Sequence, residues 1–178
     1  MSIVSRLLER RLHDTYGVRL EPMRRRHLKE ILAIENQVYP KPWTPGVFQS
    51  EIEGIRTGER YYVVARRAGV LVGYAGMLFA PDEAHVTNIA VDPAQQRGGV
   101  GRTLLCDLAW TARERNLSAM SLEVRVSNDP AKEMYRRFGF QPAGIRPKYY
   151  ENTEDAIVMW CHDIDTPEYA AKLEGLCG

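Results

Sequence analysis

Between residues 88 and 102 the chain changes character within a few positions, and that change limits what it can fold into. An extended apolar run, Asn88-Ile-Ala-Val91, stops at Asp92-Pro93, and Gln96-Arg-Gly-Gly-Val-Gly-Arg102 then opens a helix. Over residues 99–115, Val100, Leu104, Leu105, Leu108 and Ala112 recur at helical spacing. Glycines 98, 99 and 101 sit at this strand-to-helix junction and let a ligand approach the backbone closely. The first amides of such a helix lack partners within it and point outward at the positive end of its dipole. The junction is therefore suited to an anion such as a pyrophosphate, with Arg97 and Arg102 able to add charge. Spacing alone leaves a ligand-free glycine turn equally open. The pattern is neither a dinucleotide-binding nor a P-loop signature, because no Gly-x-Gly-x-x-Gly follows an early strand and no Gly-Lys-Ser/Thr is present.

The flanking sequence alternates strand-like and helix-like runs. Residues 17–21 read as a short strand closed by Pro22. Residues 24–38 read as a helix with Leu28, Ile31, Leu32, Ile34 and Val38 on its apolar face. Prolines 40, 42 and 45 prevent its continuation. Thr44 can cap a second helix with Pro45 at its first position, running to about Glu53, with Gly54 and Gly58 in the following loop. Strands are expected over 60–66, 70–79 and 84–91, the first two as a hairpin. A strand over 119–126 leads to a helix capped by Asn128 or Asp129, with Pro130 at its first position and Gly139 past its end. Strands over 140–148 and 155–162 close the series. The early run implies an antiparallel meander and the two later strand–helix alternations imply parallel pairing, so the class is α/β (α+β), a mixed sheet flanked by helices. Ile3, Val4, Leu7, Leu8 and Leu12 place an extra helix within an N-terminal extension, residues 1–17. The domain proper is expected over 18–162, followed by a C-terminal segment, 163–178, as a loosely attached tail or short helix.

The 178 residues suffice for one domain with a full core, and 44% hydrophobic and 26% charged residues give an ordinary soluble profile. A net charge of +1 gives little electrostatic case for nucleic acid as a direct partner. No apolar run is long enough for a membrane span, and no secretory core is visible. Cys106, Cys161 and Cys177 are far apart, form no CxxC pair and have no metal-ligand spacing. Their odd number favours a reducing, cytoplasmic setting.

Several segments together resemble a known family. Gln96-Arg-Gly-Gly-Val-Gly-Arg102 is similar to the acetyl-CoA pyrophosphate loop of GNAT N-acetyltransferases, and Asn88-Ile-Ala-Val-Asp-Pro93 to their central strand. Leu122-Glu-Val-Arg-Val-Ser-Asn128, Ala131-Lys-Glu-Met-Tyr-Arg-Arg-Phe-Gly-Phe140, Tyr149-Tyr150 and Glu154-Asp-Ala-Ile-Val-Met159 resemble the bacterial ribosomal-protein N-terminal alanine acetyltransferases (RimI-like). The resemblance covers roughly 18–160 and implies the GNAT fold, with a mixed, mostly antiparallel sheet of about seven strands. It implies that acetyl-CoA is the co-substrate, with no metal, and that a protein N-terminus is the acceptor, a ribosomal protein in the family's case. It places the pantetheine arm on the backbone of Ile89, Ala90 and Val91, the pyrophosphate on Arg97, Gly98, Gly99, Val100, Gly101 and Arg102, and a further cofactor contact on Asn128. The loop after the tyrosine pair, Glu151-Asn-Thr153, is shorter than the family's, and Pro147-Lys148 replaces some of its basic residues. Both departures fall where the acceptor is expected.

The resemblance also implies an acid and a base. An N-terminal ammonium has a reference pKa near 8 against about 10.4 for lysine, so a carboxylate acting through water suits the former better. Glu123 is implied as that base and Tyr135 as the acid for the departing thiolate. Taken as isolated residues, Glu123 reads as a surface carboxylate paired with Arg125, and Tyr135 as a half-buried aromatic. Tyr149 and Tyr150, with Tyr39 and Trp43 opposite, are candidates for the acceptor groove or for plain packing. No cysteine lies in the glycine loop or at the strand end, which favours direct transfer in a ternary complex over an acetyl-enzyme. The alternatives are a GNAT acting on lysine or a small amine, and a non-catalytic acetyl-CoA sensor or assembly module.

Overall fold

A computed structural model describes residues 16–178, so the helix expected over 3–13 lies outside the described residues. Seven strands, β1 (Arg19–Pro22), β2 (Arg60–Arg67), β3 (Val70–Phe79), β4 (Glu83–Val91), β5 (Ala119–Arg125), β6 (Gln141–Tyr150) and β7 (Glu154–His162), form one sheet in the order β1-β2-β3-β4-β5-β7-β6. β4 and β5 are parallel and every other neighbouring pair is antiparallel. The parallel step from β4 to β5 is the one expected. The second expected parallel pair does not form, because β7 inserts between β5 and β6 and pairs with both.

The helices are α1 (Leu28–Val38), entered through a 3-10 turn at Arg25–His27, then α2 (Pro45–Thr57), α3 (Val100–Glu114), α4 (Asp129–Arg137) and α5 (Pro167–Cys177). α2 starts as its sequence indicates, with the Thr44 side chain accepting from the Val47 amide and Pro45 at the first position. It runs a turn further than expected. Gly54 lies inside it, and Gly58 ends it in the left-handed conformation, φ 82°. Asn128, not Asp129, caps α4 by accepting from the Ala131 amide.

The sheet carries a core on each face. On one, Leu104, Leu105 and Leu108 of α3 are wholly buried against Val72, Ala75, Met77, Ala84 and Val86. Such side chains contribute roughly 1.5–3 kcal/mol each on burial. On the other face, Ile31 and Ile34 of α1 and Phe48 of α2 pack on Tyr62, Val64, Tyr74 and Ala90. β4 serves both cores. It carries a bulge at Thr87, since Val86 pairs with Met77 and Asn88 with Gly76, leaving Thr87 as the additional residue. Before the bulge Ala84 and Val86 face the α3 core; after it Ile89 and Val91 do, while Ala90 faces α1.

Residues 163–178 are firmly attached. Tyr169 and Leu173 of α5 are buried in the α3 core, and Arg113 of α3 donates to the Ile164 and Thr166 carbonyls. Cys106 of α3 and Cys177 are joined by a disulfide with a Cα–Cα distance of 5.9 Å. This corrects the reading from spacing, which gave no reason to pair them: the fold, not the sequence interval of 71 residues, brings them together. Cys161 remains a free, buried thiol.

Candidate active site

The parallel junction holds at three register pairs only, Glu83 with Ala119, Ala84 with Met120 and His85 with Ser121. Beyond it β5 continues along β7 to Arg125 while β4 pairs with β3 alone, so the two strands diverge. A cleft of about 520 Å3 opens there, lined on one side by Val86, Thr87, Asn88 and Ile89 and on the other by Leu122, Glu123, Val124 and Arg125. Its β4 wall is strand backbone without a ladder partner on that side among the described residues. The Asn88 side-chain oxygen is buried there with no hydrogen-bond partner among the described residues. Both features favour an extended ligand bearing amides.

Glu123 and Tyr135 line this one cleft, as do Ile89, Asn128, Tyr39, Trp43, Tyr149 and Tyr150. Alternation along β5 puts Ser121, Glu123 and Arg125 on one face. Glu123 is nearly buried, with one carboxylate oxygen 3.0 Å from His85 Nε2 and the other 3.1 Å from Arg146 Nε. The hydrogen bond to His85 is the largest influence holding its carboxyl below the usual range, against the opposing pull of burial, and Arg146 adds to it. Arg125 is not its partner. That guanidinium binds Glu151 through both terminal nitrogens, at 2.8 and 2.7 Å, reaches Glu154 at 3.1 Å and lies 4.1 Å from the Tyr150 ring. The short Glu151-Asn-Thr153 turn is thereby pinned to β5.

Tyr135 is buried beside Phe140, and burial pushes its phenol up to about 12. It is thus held protonated at neutral pH. Tyr149 and Tyr150 meet edge to face at 5.1 Å at the end of β6. Opposite them, the Tyr39 hydroxyl donates to the Ile89 carbonyl at 3.3 Å. Glu35, buried in α1, accepts from the Trp43 amide at 2.8 Å through one oxygen and from the Tyr74 hydroxyl through the other. With both oxygens engaged it clamps the proline-rich segment.

Ala90, Val91 and the glycine loop lie outside the cleft lining, further along β4 and at the start of α3. The loop is strained into shape: Arg97 and Gly99 have φ of 61° and 81°, and Gly99 precedes the first turn of α3. Arg67 of β2 braces it, donating to the Gly98 carbonyl at 2.5 Å and to Gln95 Oε1 at 3.1 Å. Arg102 departs from expectation. Its Nε donates to the Leu176 carbonyl at 2.6 Å, and its guanidinium lies 5.1 Å from the Tyr16 ring. It is turned to the end of α5, where it closes off a helix terminus.

Sequence reasoning missed His85, Asn88, Arg146 and Arg67. His85 and Glu123 could have been paired only by knowing that β4 and β5 are parallel neighbours in this register. Among the described residues, no group of three or more His, Cys, Asp or Glu is arranged to hold a metal ion.

Comparison with known proteins agrees with this geometry. Residues 28–140 match the family model described as the acetyltransferase (GNAT) family. The chain is 38% identical over 153 residues to the N-alpha-acetyltransferase RimI of Mycobacterium tuberculosis, covering 82% of this chain and 93% of that one. It is 39% identical over 130 residues to the [ribosomal protein bS18]-alanine N-acetyltransferase of Escherichia coli K12, covering 71% and 84%. The crystal structure of the ribosomal-protein-S18-alanine N-acetyltransferase from Escherichia coli superposes with a TM-score of 0.74 at 32% identity, over 82% of this chain and 94% of that one.

Proposed function

The chain belongs to the acetyltransferase (GNAT) family and is an acetyl-CoA-dependent N-acetyltransferase, and from that premise we propose that its acceptor is the α-amino group of an alanine at a ribosomal protein's N-terminus. The observation that carries this reading is the convergence of Glu123 and Tyr135, from β5 and α4, on the cleft where β4 and β5 part. Relatives at 38–39% identity named for N-terminal acetylation support the acceptor class.

Acetyl-CoA supplies the acetyl group as a thioester. The unpaired edge of β4 around Ile89, Ala90 and Val91 fits its amide-bearing arm, and the orphaned Asn88 oxygen offers an acceptor for an amide N–H. The amides and left-handed backbone from Arg97 through Gly98, Gly99, Val100 and Gly101 to Arg102 suit its pyrophosphate, through backbone rather than through the Arg102 charge. Asn128, whose Oδ1 is committed to capping α4, lines the cleft and keeps its side-chain N–H groups for the cofactor. Glu123 takes a proton from the acceptor ammonium. Tyr135, kept neutral by burial, gives one to the departing sulfur. Tyr39, Trp43, Tyr149 and Tyr150 frame the acceptor peptide. The unit from 18 to 162 carries the activity, with α5 as a stapled addition. The cytoplasm, where ribosomal proteins are made, is its proposed location; no described helix is long and apolar enough to cross a membrane.

The test is acetyl-CoA turnover on short peptides with varied first residues, beside matched peptides with blocked N-termini and free lysines. Alanine-initiated, unblocked peptides should turn over fastest. Equal or faster turnover on the blocked, lysine-bearing peptides would contradict the reading.

A further inference from the structure

The hydrogen bonds behind Glu123 run on into a chain that the acetylation chemistry described so far does not use. Ser121 and His85 are the last register pair before the strands part, and His85 Nδ1 lies 2.8 Å from Ser121 Oγ. The Ser121 hydroxyl donates to a carboxylate oxygen of Glu83. A hydroxyl has one hydrogen, so Ser121 Oγ meets His85 as an acceptor, and Nδ1 carries its proton. A neutral imidazole protonated at Nδ1 has its lone pair on Nε2, so the 3.0 Å contact with Glu123 Oε2 needs a proton between them, and the geometry is that of the site with the relayed proton in place. Ser121 is buried, so Glu83 and His85 compete little with water for it.

Resting on the assignment of Glu123 as the base, we propose that Glu83, Ser121 and His85 form a proton relay behind it, with His85 as the positioning residue that accepts at Nε2 the proton Glu123 takes from the ammonium. The balance is complete within the site. As the nitrogen–carbon bond forms and the carbon–sulfur bond breaks, the nitrogen gives up two protons in all. One crosses Glu123 to His85 Nε2 and leaves to water. The other is equivalent to the proton that Tyr135 gives the sulfur and then regains. His85 keeps a quarter of its side chain exposed, which gives the first proton its exit. His85 faces Glu123 directly and Glu83 through Ser121, while Arg146 is held on the other oxygen of Glu123. Tyr149 and Tyr150, on the same strand as Arg146, are further titratable groups whose phenols feel the Glu123 charge. The relay answers a difficulty of the site: a carboxylate held below its usual range is a weak base, and handing its proton on to an imidazole restores it to the form that can accept again.

The experiment compares wild type, His85→Ala, His85→Gln, Ser121→Ala and Glu123→Gln by steady-state kinetics over pH, with acetyl-CoA and a short unblocked peptide at saturation. The glutamine amide can still donate to Glu123 but cannot take a proton. His85→Ala and His85→Gln should both lose about tenfold or more in kcat, the lower range for one acid–base group. Both KM values should change less than kcat, and Ser121→Ala should lose part of the same effect. Added imidazole should restore His85→Ala and should not restore it when combined with Glu123→Gln. Wild-type kcat and pH profile in His85→Gln would overturn the relay. Wild-type activity in Glu123→Gln would instead overturn the base assignment beneath it, so the two failures are separable.

Discussion

The hydroxyl of Tyr39 donates to the carbonyl of Ile89, 50 residues away, and ties the wall assigned to the acceptor to the strand assigned to acetyl-CoA. Burial, with Glu35 nearby, holds that phenol protonated and therefore a donor. Tyr39→Phe removes one hydrogen bond worth about 1 kcal/mol while keeping the ring. The peptide KM should rise several-fold with a smaller change in kcat, measured at saturating acetyl-CoA. An unchanged peptide KM would separate the two walls.

Gly99 tests the pyrophosphate placement. Its φ of 81° suits glycine, and a Cβ there would come within 2.9 Å of the Tyr16 ring. Gly99→Val should weaken acetyl-CoA binding at least tenfold by calorimetry, with a lowered Tm from the roughly 1–2 kcal/mol cost of left-handed backbone. Undiminished affinity would move the pyrophosphate elsewhere.

Glu123→Gln, nearly isosteric, should retain acetyl-CoA binding and lose about a hundredfold in turnover near neutral pH. The loss should shrink as pH rises, because more of the acceptor amine is then neutral. Stability follows a separate rule. The folded Glu123 carboxyl is held below its unfolded range, so its contribution is present above the ordinary carboxylate range and disappears as pH falls through the lowered value. Urea midpoints of wild type and variant should therefore converge in acid; a gap that stays constant with pH would count against the ion pairs.

Tyr135→Phe should slow turnover by a route that pH does not relieve. The sulfur still needs a proton when the amine is already neutral, so the defect should persist at alkaline pH where that of Glu123→Gln fades. Matching pH dependence in the two variants would contradict the division of roles.

The Cys106–Cys177 bond closes a loop of 71 residues. Its removal should cost up to about 4 kcal/mol by the loop-entropy relation. A chemical denaturation series with and without reductant, and with Cys106→Ser, measures this. Equal stabilities would mean that Tyr169, Leu173 and Arg113 suffice to hold α5.

Legibility in the sequence followed the range of the interaction. Strand and helix positions, the Thr44 and Asn128 caps and the glycine junction depend on neighbours a few residues apart, and these were readable. Long-range pairings were not. Nothing local signals that β7 slots between β5 and β6, that Cys106 meets Cys177, or that His85 stands opposite Ser121. Arg102 shows the same limit: beside three glycines it reads as an anion ligand, and its Nε contact with the Leu176 carbonyl depends on the docking of α5. Of the residues named from the family resemblance, Ile89, Glu123, Asn128, Tyr135 and the four aromatics line one cleft while Ala90, Val91 and the glycine loop lie beyond it, a grouping that a matched motif can carry and periodicity cannot.

Thr87 gives β4 an unusual tolerance profile. Because side chains alternate along a strand, deleting Thr87 would close the bulge and leave Ala90 on the α1 face and Ile89 and Val91 on the α3 face, whereas losing a residue on either side of it would exchange the two faces. Thr87 lines the cleft and its oxygen lies 2.6 Å from the Tyr62 hydroxyl, so substitutions there answer to both neighbours. Across related sequences the length of this strand should therefore change at the bulge alone.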